Sequence, residues 1–148
     1  MVTMRYESPL GTLLVGEQDG KLRFLRFPGW TEEAPGKSAV LTAAKNWLDV
    51  YFSGQNPGAL PPWELEGTPF RLRVWTALSH IAYGQTLSYA ALARELGTAP
   101  RPVGGALHRN PLPIFLPCHR VLGSNGSLTG YAGGLAAKEQ LLKLEHIF

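Results

Sequence analysis

The sequence holds a single cysteine, Cys118. One thiol closes no intramolecular disulfide, and it excludes a cysteine-rich zinc site, which takes several thiolates. A lone thiol survives best in a reducing compartment, so an intracellular setting is expected, cytoplasmic or, in a eukaryote, nuclear. No apolar run approaches the roughly 20 residues needed to span a bilayer, so no membrane partner is expected. Residues 1–6 carry no signal-peptide pattern. Internal repeats and low-complexity tracts are also lacking. Charged residues are sparse, at 17% against 45% hydrophobic, which excludes a disordered chain and supports a packed core.

Acidic residues are scarce in one half only. The chain of 148 residues suits one globular unit or two small packed halves. Residues 1–66 carry 6 Lys and Arg against 8 Asp and Glu, a net of −2. Residues 67–148 carry 8 against 3, a net of +5. Such asymmetry suits either a solvated basic surface or a polyanionic partner for the second half.

The first half reads as strands at 3–7, 12–17 and 21–27, divided by Pro9-Leu10-Gly11 and by the hairpin signal Asp19-Gly20. After a loop at 28–38, an amphipathic helix is expected at about 39–52. Val40, Leu41, Ala44, Trp47, Leu48 and Tyr51 fall on one stripe of it, and Gly54 is a stop signal. Residues 54–67 contain Pro57, Pro61 and Pro62 and read as a linker. The expected division is an α/β domain at 1–60 and a second domain at 67–148.

Beyond the linker the pattern is helical. Thr68 suits an N-cap and Pro69 the first helical position. Phe70, Val74, Trp75, Leu78 and Ile81 keep helical spacing, and Tyr83-Gly84 is the expected end. Ser88 caps a helix at 89–96, which Gly97 closes. Another follows at about 99–108, and a last one at about 135–145. The two short helices around Gly97 form a candidate helix-turn-helix. Arg101 lies in the first turn of the second one, where recognition helices meet DNA. Gly104 and Gly105 inside that helix each cost roughly 1 kcal/mol against Ala. They permit close approach either of an external backbone or of a neighbouring helix.

Leu116-Pro117-Cys118-His119-Arg120-Val121 carries the most chemistry. A thiol becomes a nucleophile as its thiolate, and a nearby imidazole or guanidinium favours that form. Next to Ile114-Phe115-Leu116, however, a lone cysteine reads more readily as buried and inert. Glu145 bears on the choice. It lies four residues after Leu141 and three after Leu142, beside the stripe that faces the core. A carboxylate there needs a partner, and His119 is a candidate. Either Cys118, His119 and Glu145 form a nucleophile, a base and an orienting acid, or Glu145 frays outward near the chain end.

Taken together these stretches resemble the O6-alkylguanine-DNA alkyltransferases. Pro117-Cys118-His119-Arg120-Val121 is similar to that family's active-site motif. Arg101-Pro102-Val103-Gly104-Gly105-Ala106 resembles its recognition helix, and Asn110-Pro111 its asparagine hinge. Gly130-Tyr131-Ala132-Gly133-Gly134-Leu135, with Lys138, Leu141, Leu142 and Glu145, resembles its closing segment. The resemblance is dense over 68–145. Before that it is loose, through Ser8-Pro9-Leu10-Gly11 and Trp47-Leu48.

The resemblance implies an α/β fold: a small N-terminal antiparallel sheet with a helix, ribonuclease H-like, then an all-helical C-terminal domain with a winged-helix-like helix-turn-helix. It implies repair of O6-alkylguanine in double-stranded DNA by a monomer without a cofactor. The damaged base is flipped into a pocket, and Cys118 takes the alkyl group irreversibly, once per chain. His119, Glu145 and a bridging water would help deprotonate the thiol, and Asn110 would brace the turn. Arg101 would fill the gap in the base stack. Tyr89 would contact the guanine, and Val121, Tyr131 and Ala132 would line the pocket. Gly104, Gly105, Arg109 and Arg120 would face DNA, and His108 would add a phosphate contact.

The chain departs from the pattern at Ala132, where many members carry serine, and at Pro102, where alanine is common. The cysteine and histidine ligands that bind zinc in some members are not evident. Three rivals remain on sequence. A non-catalytic lesion-binding relative would lack Cys118. A helix-turn-helix regulator would show no thiol alkylation. A cysteine hydrolase would turn over repeatedly, and no oxyanion-hole motif supports it.

Overall fold

A computed structural model describes residues 1–31, 33–123, 126 and 130–148. The chain forms two compact units, residues 1–65 and 66–148.

In the first unit β1 (Val2–Ser8), β2 (Gly11–Gln18) and β3 (Lys21–Arg26) form an antiparallel sheet in the order β1-β2-β3. The turn between β2 and β3 needs two left-handed residues. Asp19 and Gly20 supply them, with φ of 56° and 75°. The Gly20 N–H donates to Glu17 Oε2 at 3.0 Å, which fixes the turn to the strand before it. Helix α1 (Ala39–Phe52) begins where Ser38 accepts from the Leu41 N–H. The six residues expected on its apolar stripe are all buried. Tyr6 of β1 donates its hydroxyl to Asp49 of α1 at 2.6 Å, tying sheet to helix.

The stretch read as a linker is partly built into this unit. Leu22 donates to the Pro62 carbonyl at 2.8 Å and accepts from the Glu64 N–H at 3.1 Å. The physical reason is the free edge of β3, whose backbone groups need partners once Leu22 is buried.

In the second unit Thr68 caps α2 (Pro69–Leu78), Ser88 caps α3 (Tyr89–Leu96), and α4 is Pro100–His108. Helix α2 ends earlier than its apolar spacing suggests. The chain leaves through successive turns, with Ile81 donating to the Leu78 carbonyl at 3.0 Å. Gly97 closes α3 in the left-handed region, at φ 68° and ψ 35°. The Thr98 N–H then returns to the Ala93 carbonyl at 2.9 Å. Trp75 of α2 donates its indole N–H to the Ala106 carbonyl of α4 at 2.8 Å.

A single 3-10 turn at Cys118–Arg120 leads into β5 (Val121–Leu122), which pairs in parallel with β4 (Leu87–Ser88). This short ladder is an addition to the helical unit that the sequence suggested. Helix α5 (Leu135–Leu144) places Leu141 and Leu142 in the core, with Glu145 as its C-cap. Among the described residues no helix is long and apolar enough to cross a membrane.

Two glycines predict opposite responses. Gly97 needs the left-handed conformation, so Gly97→Ala should destabilise the chain by roughly 1–2 kcal/mol. Gly105 is helical, and a Cβ added there meets nothing within 4 Å. Gly105→Ala should therefore stabilise the chain by about 0.5–1 kcal/mol. Urea denaturation of both variants checks this, and shifts of the same sign would contradict it.

Candidate active site

Cys118 sits on the 3-10 turn with its side chain at the wall of an open pocket of about 250 Å³. The other lining residues are Tyr89 from α3, Gly104, Leu107 and His108 from α4, and Gly130, Tyr131 and Ala132 from the segment before α5. Two well-separated stretches of sequence thus converge on the thiol.

The turn that carries Cys118 is braced from within. Asn110 is buried and works at both ends of its amide. Its Nδ2 donates to the Leu116 carbonyl at 3.0 Å, and its Oδ1 accepts from the Leu112 N–H at 2.9 Å. The Asn110 amide also favours the ionised form of the thiol. Between these bonds Ile114 is fully buried with φ of 73°. A β-branched residue is rare in that region and is held there by its surroundings.

Behind the thiol lies a buried polar chain. Glu145, only 2% exposed, faces inward and does not fray. Its Oε2 lies 2.5 Å from His119 Nε2, and its Oε1 accepts from Arg120 Nε at 2.7 Å. The Gly84 N–H donates to the same Oε1 at 3.1 Å. Burial opposes the charge on Glu145, but the bonds and charges of His119 and Arg120 outweigh it and hold the carboxyl down at about 2. His119 is completely buried, and that burial pushes its pKa below the ordinary 6.5 against the pull of Glu145. The ring is therefore neutral at pH 7, with Nε2 carrying the proton toward the carboxylate. Its Nδ1 remains as the basic atom.

Burial pushes the Cys118 thiol up to about 11, against the opposing effects of the Asn110 hydrogen bond and the Lys138 charge. At rest the nucleophile is a protonated thiol. It differs from a spontaneously ionised cysteine, and a base must take its proton.

Other expected site residues fall in several places. Arg101 and Arg109 are exposed at the two ends of α4. Gly105 is exposed, and Gly104 is half-buried with a virtual Cβ 3.8 Å from the Tyr89 ring. Among the described residues nothing packs closely enough to demand either glycine.

Arg120 requires a correction. Expected at the DNA face, it is 6% exposed, and its guanidinium is turned inward to Glu145 and to the Ile81 carbonyl at 2.7 Å. A guanidinium so engaged does not reach a phosphate. Val121 is also fully buried, and its carbonyl accepts from Lys138.

Sequence reasoning gave Lys138 no chemistry. It is fully buried, and its Nζ donates to the Val121 carbonyl at 2.8 Å. The signal was present: 138, 141, 142 and 145 keep the helical i, i+3, i+4, i+7 spacing, so a lysine sits on the inward stripe. Leu107, also missed as a pocket residue, gave no signal beyond its place on α4. Among the described residues no group of three or more His, Cys, Asp and Glu is placed to hold a metal ion.

Comparison with known proteins agrees with this geometry. Residues 69–147 match the model for the 6-O-methylguanine DNA methyltransferase DNA binding domain, and residues 1–59 match that for the ribonuclease-like domain of the same family. A methylated-DNA–protein-cysteine methyltransferase of Methanosarcina acetivorans is 40% identical over 152 residues, covering 95% of both chains. The constitutive enzyme of that name from Bacillus subtilis is 41% identical over 157 residues, covering 95% of this chain and 93% of its own. The crystal structure of Mycobacterium tuberculosis OGT in complex with DNA superposes with a TM-score of 0.90 at 38% identity, over 98% of this chain and 92% of that one. The chain belongs to the 6-O-methylguanine DNA methyltransferase family.

Proposed function

We propose that the chain repairs O6-alkylguanine in duplex DNA by transferring the alkyl group to Cys118. The observation that carries this reading is the thiol at the pocket wall, backed by a neutral His119 whose other nitrogen is bonded to Glu145. The proton leaves Sγ for His119 Nδ1 through a bridging water. Glu145 stabilises the imidazolium that forms. Sγ attacks the alkyl carbon in line, the carbon–O6 bond breaks, and the electron pair leaves with guanine. Tyr89, which also lines the pocket, donates a hydrogen bond to the base as that charge develops. The thioether product has no evident group to cleave it, so each chain acts once. No donor cofactor is required, because the alkyl group comes from the damaged DNA.

Helix α4 would face the minor groove, with Gly104 and Gly105 allowing its backbone to approach. Arg101 would enter the base stack beside the flipped guanine, while His108 and Arg109 would meet phosphates. The work would divide between a supporting domain at 1–60 and a DNA-binding, reactive domain at 67–148. The expected setting is the compartment of the chromosome, the cytoplasm in cells like those of the bacterial and archaeal relatives.

Intact mass after incubation with O6-methylguanine duplex should show one added methyl group per chain, absent in Cys118→Ala. Repaired DNA with unchanged protein mass would overturn single-turnover transfer. Arg101→Ala should lower the transfer rate far more than it lowers binding to undamaged duplex, since one cation is a small part of the salt-dependent affinity. Equal losses in a gel-shift and a single-turnover assay would contradict the finger role.

The pH dependence follows from two shifts. His119 sits below 6.5, so its neutral form predominates from pH 6.5 upward. Cys118 keeps its proton up to about 11. Between these limits proton transfer from thiol to imidazole leaves the total protonation unchanged. The single-turnover rate should therefore be flat across pH 7.5 to 9, and a drop centred at or above 6.5 would contradict the assignment.

A further inference from the structure

The mechanism above leaves a buried lysine unused. Lys138 is the only lysine among the buried residues, at 0% exposure, on the helix that ends in Glu145. Its Nζ donates to the Val121 carbonyl, the residue that follows the Cys118–Arg120 turn. The same Nζ lies 6.0 Å from the centre of the Tyr89 ring on the pocket wall. An ammonium with no exposed surface is costly to bury. A methionine or leucine would fill this place on the inward stripe without that cost, so packing alone does not account for a cation.

We propose that Lys138 is a positioning residue whose fixed positive charge lowers the cost of ionising Cys118, with the Val121 carbonyl as the anchor that aims it. The proposal rests on the reading of Cys118 as the alkyl acceptor. The charged and titratable groups around the pair are His119, Arg120 and Glu145, with the phenols of Tyr89 and Tyr131 on the pocket side. Arg120 is committed to Glu145, and His119 is neutral at rest. Burial pushes Lys138 below the ordinary lysine value, and the charge on the sulfur opposes that push; in return the lysine charge favours the thiolate.

The coupling matters because this thiol is otherwise hard to ionise. Each unit by which a cation lowers a thiol pKa raises the thiolate fraction about tenfold. The lower nucleophilicity of the more acidic thiolate returns part of that gain, given a Brønsted slope of about 0.4–0.5. The net benefit is roughly threefold in rate per unit, and it holds only where the thiol is mostly protonated.

The test uses the whole chain with iodoacetamide, a small neutral alkylating probe. The rate of Cys118 modification is followed by intact mass across the pH range. In Lys138→Met the modification rate between pH 7.5 and 9 should fall at least threefold, and transfer from O6-methylguanine duplex at pH 7.5 should slow by a similar factor. Lys138→Arg, which keeps the charge, should hold the wild-type rate. An unchanged modification rate in Lys138→Met, or equal slowing in Lys138→Arg, overturns the proposal and leaves Lys138 a structural residue.

Should Lys138→Met fail to fold, NMR titration of lysine Cε-labelled chain decides the matter. The Lys138 ammonium should titrate at higher pH in wild type than in Cys118→Ser, and equal values overturn the coupling. Methyl transfer by wild type is the separate control. Its absence would remove the acceptor reading itself, whereas the iodoacetamide and NMR results bear on the coupling alone.

Discussion

The second unit is organised around one carboxylate. Glu145 has no exposed side-chain surface, so its charge must be met from within. Three donors from two parts of the chain meet it: the Gly84 N–H after α2, and His119 and Arg120 on the 3-10 turn. Removing one member of such a buried pair costs about 3–5 kcal/mol, because the partner charge is left behind. The end of α5, the end of the α2 turns and the reactive turn are thereby fixed to one point. In the proposed mechanism the same contact orients the imidazole that serves the thiol, so folding and chemistry would depend on one set of atoms.

This arrangement explains the resting state of the nucleophile. A cysteine held as a thiolate would be open to oxidants and adventitious alkylators whether or not a lesion was present. Burial keeps Cys118 protonated instead, while the neutral His119 stands ready to accept its proton. The thiol faces a pocket large enough for a flat base, and the helix beside it presents two glycines that no close packing among the described residues demands. Reactivity is gated by what enters the pocket.

Much of this was legible in the sequence because it is written in local chemistry. The Asp19-Gly20 turn, the Ser38, Thr68 and Ser88 caps and the stripe of α1 each follow from residue type and spacing. Glu145 on an inward stripe was legible too, although the stripe alone left its direction open. Long-range polar pairing was less so. Arg120 reads as a surface cation by composition, and only the fold shows that Ile81 offers it a carbonyl. That carbonyl is available because α2 stops at Leu78, earlier than its apolar spacing suggested. Lys138 was hidden by habit: lysine is read as solvated, and its helical register with Glu145 was the contrary signal.

The central claim is that Glu145 holds His119 as a neutral base with its proton on Nε2. Nitrogen NMR of the chain labelled in its histidine rings reads this state directly. The account predicts that His119 shows a protonated Nε2 and a bare Nδ1 at pH 7.5, and that Glu145→Gln alters this pattern. An imidazolium at neutral pH, or a proton on Nδ1, would contradict it.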